Sequence, residues 1–213
     1  MTRKITNRSG FRKVIGKFPS LKTGRTVMWE SQIERDFIYL LEFDPDVRFF
    51  KEQPIKIKYK YKNKPRKYTP DFYVERRTAR ELVEVKPASK VKKPDNILRF
   101  LAGAEYCKNA GYVFKVVTDE QIRDGSLLAN IKLLHRYATV NVPAEFCQQA
   151  IEIIQSSGEI CLEKLITILK ENSGHDAISN IYALLYYQIL VADLREPLSG
   201  QTIIKTMKSE GDD

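Results

Sequence analysis

The sequence predicts an α/β fold, a mixed sheet with flanking helices and a smaller α+β domain appended, and three observations carry that expectation. Apolar and lysine residues alternate from Ile55 to Lys62, and short, mostly apolar runs at Phe72–Val74 and Leu82–Val85 follow, as strands do. Segments of helical period lie on both sides of that stretch. The charge balance then reverses near residue 141, where a run of three amphipathic helices and a hairpin begins.

Residues 1–28 mix Arg3, Lys4, Arg8, Arg12, Lys13, Lys17, Lys22 and Arg25 with few apolar residues and read as a basic N-terminal arm, partly disordered when free. Such an arm either lies on DNA or is a solvated tail. From Trp29 to Phe43, Ile33, Phe37, Leu40 and Leu41 recur at helical spacing, and Asp44-Pro45-Asp46 closes the run with a turn. Strands are expected at about 48–61, 68–75 and 81–86, the last two joined by the short Arg76–Arg80 connection and so antiparallel. After Pro94, Ile97, Phe100, Leu101 and Ala104 mark a helix ending at Gly111. Tyr112 to Val117 is an apolar run typical of a buried strand, and strand, helix, strand implies a right-handed crossover to a parallel neighbour. Thr118-x-x-Gln121 offers a capping-box start for a helix over 122–137, with a break at Gly125.

Pro143 punctuates the chain where the charge reverses, so the expected domains are 29–140 and 141–213. In the second, Ala144–Ser156 and Cys161–Glu171 are amphipathic helices closed by Gly158 and Gly174, and Asp176–Gln188 is a third. A turn at 196–200 joins Ile189–Asp193 to Thr202–Thr206 as a hairpin. Three helices and a hairpin suggest a winged helix. Its third helix has no Lys or Arg and displays Ile181, Tyr182, Leu185, Tyr186 and Tyr187, so it serves phosphates poorly. This domain is expected mainly to contact protein; the competing account is that the aromatics are core.

Charge sorts the halves by partner. Residues 1–100 carry 26 Lys and Arg against 12 Asp and Glu, while residues 141–213 carry 5 against 11. A strongly basic half is the footprint of a phosphate-backbone binder. Within it, Lys56, Lys58, Lys60 and Lys62 alternate with Ile55, Ile57, Tyr59 and Tyr61, a lysine face that either touches DNA or protects an edge strand. No apolar run reaches the roughly 20 residues of a membrane helix, and the N-terminus lacks a signal-peptide core. A cytoplasmic protein is expected. Cys107, Cys147 and Cys161 are scattered without a C-x-x-C and read as apolar fillers. His135 and His175 stand alone, which removes histidine-rich nuclease chemistries and H-E-x-x-H zinc hydrolysis, and no G-x-x-x-x-G-K-[ST] loop is present.

The motif that carries chemistry is Tyr68-Thr69-Pro70-Asp71-Phe72 followed by Glu84-Val85-Lys86. On a strand Glu84 and Lys86 share a face, and Pro70 holds the approach to Asp71 extended, so two strands would present two carboxylates and a lysine together. A hard cation such as Mg2+ needs only one or two carboxylates, and would leave Lys86 to steady a water or the phosphate charge. Glu34 borders the apolar face of the first helix and can lean toward the sheet as a third acid. Ser31-x-x-Glu34 also fits a capping box, which would keep Glu34 at its own helix start.

The ordered series Trp29 to Phe37, Leu40 to Val47, Glu52-Gln53-Pro54, Tyr68 to Phe72 and Val83 to Lys86 resembles the TnsA family, the endonuclease subunits of heteromeric cut-and-paste transposases, some of them CRISPR-associated. The resemblance implies a restriction-endonuclease-like core that cuts the 5′ ends of a transposon with Mg2+, one or two ions, or Mn2+ in its place. Carried over residue by residue, Glu34, Asp71 and Lys86 would be catalytic, Glu84 would help Glu34 and Asp71 hold metal, and Gln53 would lie at the rim. The helix acid maps to Glu34 or to Glu30. The implied partners are the double-stranded DNA of transposon ends, a transposase subunit and an ATP-dependent regulator. A stand-alone restriction or junction-resolving nuclease, and a DNA-binding assembly factor with an idle site, are the alternatives.

Overall fold

The computed structural model describes residues 15–173 and 176–207. Gly174, His175 and the first fourteen residues of the expected arm lie outside them. The chain forms two compact units, one through Arg123 and one from Asp124.

The first unit opens with an antiparallel hairpin, β1 (Gly16–Ser20) and β2 (Arg25–Trp29). This corrects the expectation of an arm reaching residue 28. Phe18, Val27 and Trp29 are buried, and the loop is fastened to α1 (Gln32–Phe43). The Ser20 hydroxyl and the Lys22 amide both donate to the Glu42 carboxylate, at 2.6 and 2.7 Å. The Lys22 ammonium donates to the carbonyls of Leu41 and Asp44, closing the helix C-terminus with a cation.

A four-stranded sheet follows, built from β3 (Val47–Glu52), β6 (Phe72–Arg76), β7 (Arg80–Lys86) and β8 (Val113–Thr118) in the order β3-β6-β7-β8. The first three are antiparallel to their neighbours and β8 runs parallel to β7, so the sheet is mixed as expected. Glu81 through Val85 are all buried, the mark of a strand covered on both faces. Phe37 of α1 meets Phe72 edge to face at 5.5 Å. On Leu82's face lies a cluster of Ile57, Tyr68 and Cys107. The crossover carries α2 (Ala88–Val91) and α3 (Pro94–Ala110), whose left-handed cap is Gly111, and α4 (Asp119–Ile122) starts with the expected Thr118–Gln121 capping box.

The expected strand over 48–61 is two strands in two sheets. Gln53 takes a left-handed φ of 44° and Pro54 has no amide hydrogen to donate, so pairing stops there. The chain resumes as β4 (Ile57–Tyr61), which among the described residues pairs only with β5 (Lys64–Tyr68). Lys62 and Asn63, both with positive φ, make the two-residue turn of this ribbon.

The second unit contains α5 (Leu127–His135), α6 (Ala144–Ser157), β9 (Ile160–Cys161), α7 (Leu162–Ser173), α8 (Ala177–Tyr186), β10 (Leu190–Val191) and β11 (Ile203–Thr206), with an antiparallel sheet in the order β10-β11-β9. Gly125 has a φ of 57°, so the helical run expected over 122–137 breaks there and α5 packs against α8. The division thus falls earlier than Pro143. Ile181, Leu185 and Tyr186 are buried, Tyr182 stacks edge-on with Tyr137, and only Tyr187 is largely exposed. The face of α8 expected to meet a partner is therefore mostly core. The three cysteines are free thiols, Cys107 buried and the others half-buried.

Candidate active site

Past the Phe72–Val83 pair β6 has no strand left, and the Asp71 carboxylate takes over the next position by accepting the Val85 amide at 2.8 Å. The Asp71 carbonyl accepts the Gln53 amide at 2.8 Å, which holds the segment from the other side. Glu84 lies opposite this turn and is 2 % exposed. A carboxylate so buried needs partners for both oxygens. The Lys86 ammonium takes one at 2.5 Å, and the Tyr68 hydroxyl donates to the other at 2.7 Å. Lys86 also stands 3.6 Å from Asp71, so the two carboxylates bracket one cation.

Glu34 sits at the start of α1 and makes the local contacts of a cap. Its amide donates to the Ser31 hydroxyl oxygen, while its carboxylate accepts from the Ser31 hydroxyl and the Glu30 amide, each at 2.8 Å. Glu30 in turn accepts from the Gln53 side-chain amide at 2.8 Å. Glu30, Glu34, Asp71, Glu84 and Lys86 all line one cavity of about 680 Å3; Gln53 does not line it and reaches it only through Glu30. Among the described residues, no three carboxylate, imidazole or thiolate groups are gathered tightly enough to hold an ion as they stand. Asp71 and Glu84 are the close pair, and Glu34 could join only by leaving its cap.

Electrostatics set Asp71 apart. The Asp71 carboxyl is held well above its ordinary range, first by burial and then by the Glu84 charge, with Glu34 adding to the effect and Lys86 and the Val85 amide opposing it. Burial likewise raises Glu34, against the hydrogen bonds of its cap. Burial alone would lower the Lys86 ammonium, but Asp71 and Glu84 outweigh it and its pKa is raised. Raised carboxyl pKa values mean that negative charge here is under-compensated, a condition that a cation would relieve.

The same cavity is lined by exposed Lys56, Lys67, Lys90 and Arg99 and by half-buried Asn96. An acidic centre below a cationic rim can accept a polyanion and address one of its phosphates. The sequence motif pointed to Asp71, Glu84 and Lys86, which do meet. It missed the role of Tyr68, whose hydroxyl fixes Glu84, because a tyrosine at the head of the strand expected over 68–75 reads as an ordinary strand residue. Asn96 and Arg99 also went unseen, since only the crossover brings α3 to the cavity.

Residues 44–119 match the family described as TnsA-like endonuclease N terminal. The match runs from the end of α1 to the start of α4 and includes Gln53, Tyr68, Asp71, Glu84 and Lys86. No curated protein matches the chain.

Proposed function

We propose, on the match of residues 44–119 to the TnsA-like endonuclease family, that the chain is the metal-dependent DNA endonuclease subunit of a transposase complex, cutting the 5′ ends of the transposon. The observation that supports this most is the pairing of Asp71 and Glu84 around Lys86 in a cavity rimmed by lysines and an arginine. The donor set suits a hard divalent ion, Mg2+ with Mn2+ as substitute, because two carboxylates and waters meet its needs. The raised Asp71 pKa fits the same reading. Asp71 and Glu84 would hold the ion, with Glu34, or Glu30 in its place, as the helix acid.

Such an ion would lower the pKa of a bound water and offset charge on the phosphate. The chain's own groups do the rest. Lys86 stands where it can donate to a non-bridging phosphate oxygen and offset the charge that grows there during attack. Tyr68 keeps Glu84 in one orientation. Lys56, Lys67 and Arg99 hold neighbouring phosphates, and hydrolysis leaves a 3′ hydroxyl and a 5′ phosphate.

The element order of the second unit, with β9 between α6 and α7 and β10–β11 after α8, supports a winged-helix-like domain. From Asp124 on, 7 Lys and Arg face 12 Asp and Glu, so we assign it to a protein partner, the transposase or the ATP-dependent regulator. Among the described residues no helix is long and apolar enough to cross a membrane.

The test incubates purified chain, alone and with its partner subunits, with element-end DNA and Mg2+. Cleavage that needs partners, and that falls by about 100-fold or more in Asp71→Ala and Lys86→Ala, is the expected result. Cleavage of arbitrary duplexes without partners would favour a stand-alone nuclease. Unchanged transposition by both variants would leave only an assembly factor.

A further inference from the structure

The β4–β5 ribbon commits one face to packing and leaves the other to charge. Ile57 and Tyr68, opposite each other in register, are buried with Leu82 and Cys107, and Tyr59 packs on the same cluster. Side chains alternate along a strand, so Lys56, Lys58 and Lys60 project to the opposite face. Lys67 joins them because it pairs directly with Lys58. All four are exposed, and among the described residues none is ion-paired with a carboxylate. Residues 53–70 hold seven Lys and Arg and no Asp or Glu. Like charges directly across an antiparallel pair are destabilising, so the Lys58–Lys67 juxtaposition is a cost that an anion on this face would remove. Lys56 and Lys67 also line the cavity of Asp71, Glu84 and Lys86, which makes the lysine face continuous with it.

We propose that the lysine face of the β4–β5 ribbon is the track on which the phosphate backbone of duplex DNA lies as it enters the cavity, an inference that rests on the nuclease reading above. The opposite face is already packed, so the ribbon is pre-organised and binding need not pay to order it. Phosphate contacts of this kind set position and carry no sequence information. The track therefore serves any duplex and leaves selection of the element end to other contacts. Lysines present only to guard strand edges against aggregation would be indifferent to DNA.

The measurement is fluorescence anisotropy of a short labelled duplex of arbitrary sequence binding the full chain, in EDTA to prevent cleavage, over a salt series. Lys58→Ala/Lys60→Ala, neither of which lines the cavity, is compared with Lys164→Ala/Lys170→Ala, an equal loss of charge on exposed positions of α7. The ribbon variant is expected to bind about tenfold or more weakly and to flatten the slope of log K against log salt by about 2, with the control unmoved. An unchanged slope would overturn the proposal, as would an equal loss in the control. Aggregation with intact DNA binding, or lost association with a partner subunit alone, would overturn it too. Cleavage with Mg2+ is scored separately against Asp71→Ala. An unmoved slope beside Asp71-dependent cleavage sinks the ribbon alone, whereas a flattened slope without such cleavage sinks the nuclease reading and leaves the track standing.

Discussion

Ionising Asp71 carries a cost, and that cost has a sign. Its folded-state pKa lies above the ordinary value of 3.8, chiefly through burial and then through Glu84. A group raised in this way lends stability below its unfolded pKa and loses it as pH climbs through the folded value. Asp71→Asn removes that loss, so its thermal midpoint near neutral pH should exceed the parent's, by the equivalent of about 0.5–2 kcal/mol. The two should converge in acid; a lower midpoint for the variant at neutral pH would contradict the electrostatic account. Lys86 is also raised, so its contribution holds below its ordinary 10.5 and fades only as pH rises through its higher folded value. Tyr68→Phe strips one partner from a carboxylate that is 2 % exposed. It should cost about 1–3 kcal/mol in a urea melt and slow cleavage by about tenfold or more, as loss of an orienting partner does.

Among the elements, the β1–β2 hairpin shows how polar contacts hold a segment that composition makes look unstructured. Glu42 is 5 % exposed and serves Ser20 and Lys22 together. Glu42→Ala would leave that hydroxyl and amide unpaired and should destabilise by about 2–3 kcal/mol, with hydrogen exchange accelerating first in residues 16–29. Exchange unchanged there would detach the hairpin from α1. In the sequence, Lys17, Lys22 and Arg25 are as many as the three buried apolar residues of this segment, which hid its strands. The opposite holds for β6 and β7, where Phe72, Val74, Leu82, Val83 and Val85 supply enough burial to announce strands directly, whereas β8, expected as a buried strand, is only half-buried. The expected strand runs straight through Pro54 into the alternation of residues 55–62, although Pro54 itself marks the split between β3 and β4. At the site, the short-range pairing of Glu84 with Lys86 was legible and the long-range contact with Tyr68 was not. One account of Glu34 came from its place beside the apolar face of the first helix and the other from Ser31-x-x-Glu34, and the cap is the one its contacts satisfy.

At the scale of the whole molecule, the residues through Arg123 hold 29 Lys and Arg against 15 Asp and Glu, and those from Asp124 hold 7 against 12. Opposite surpluses suit one unit to DNA and the other to protein. The charge reversal near Pro143 was a guide to composition and a poorer guide to packing, because α5 is a helix of the second unit. Leu128, Ile131 and Leu134 of α5 are buried, and the helix packs on α8. A chain ending at residue 140 would expose that apolar stripe, whereas one ending at 123 would not. Size-exclusion chromatography should find the shorter chain monodisperse and the longer one aggregated; the reverse order would contradict this division.

Whether Asp71 and Glu84 form a divalent-metal centre beside Lys86 is read by anomalous scattering from Mn2+-soaked crystals of the full chain. The account predicts a peak in contact with both carboxylates, with Lys86 displaced from between them and Glu34 or Glu30 turned toward it. Density for Mn2+ confined to other carboxylates, with the Lys86–Glu84 pair undisturbed, would contradict it.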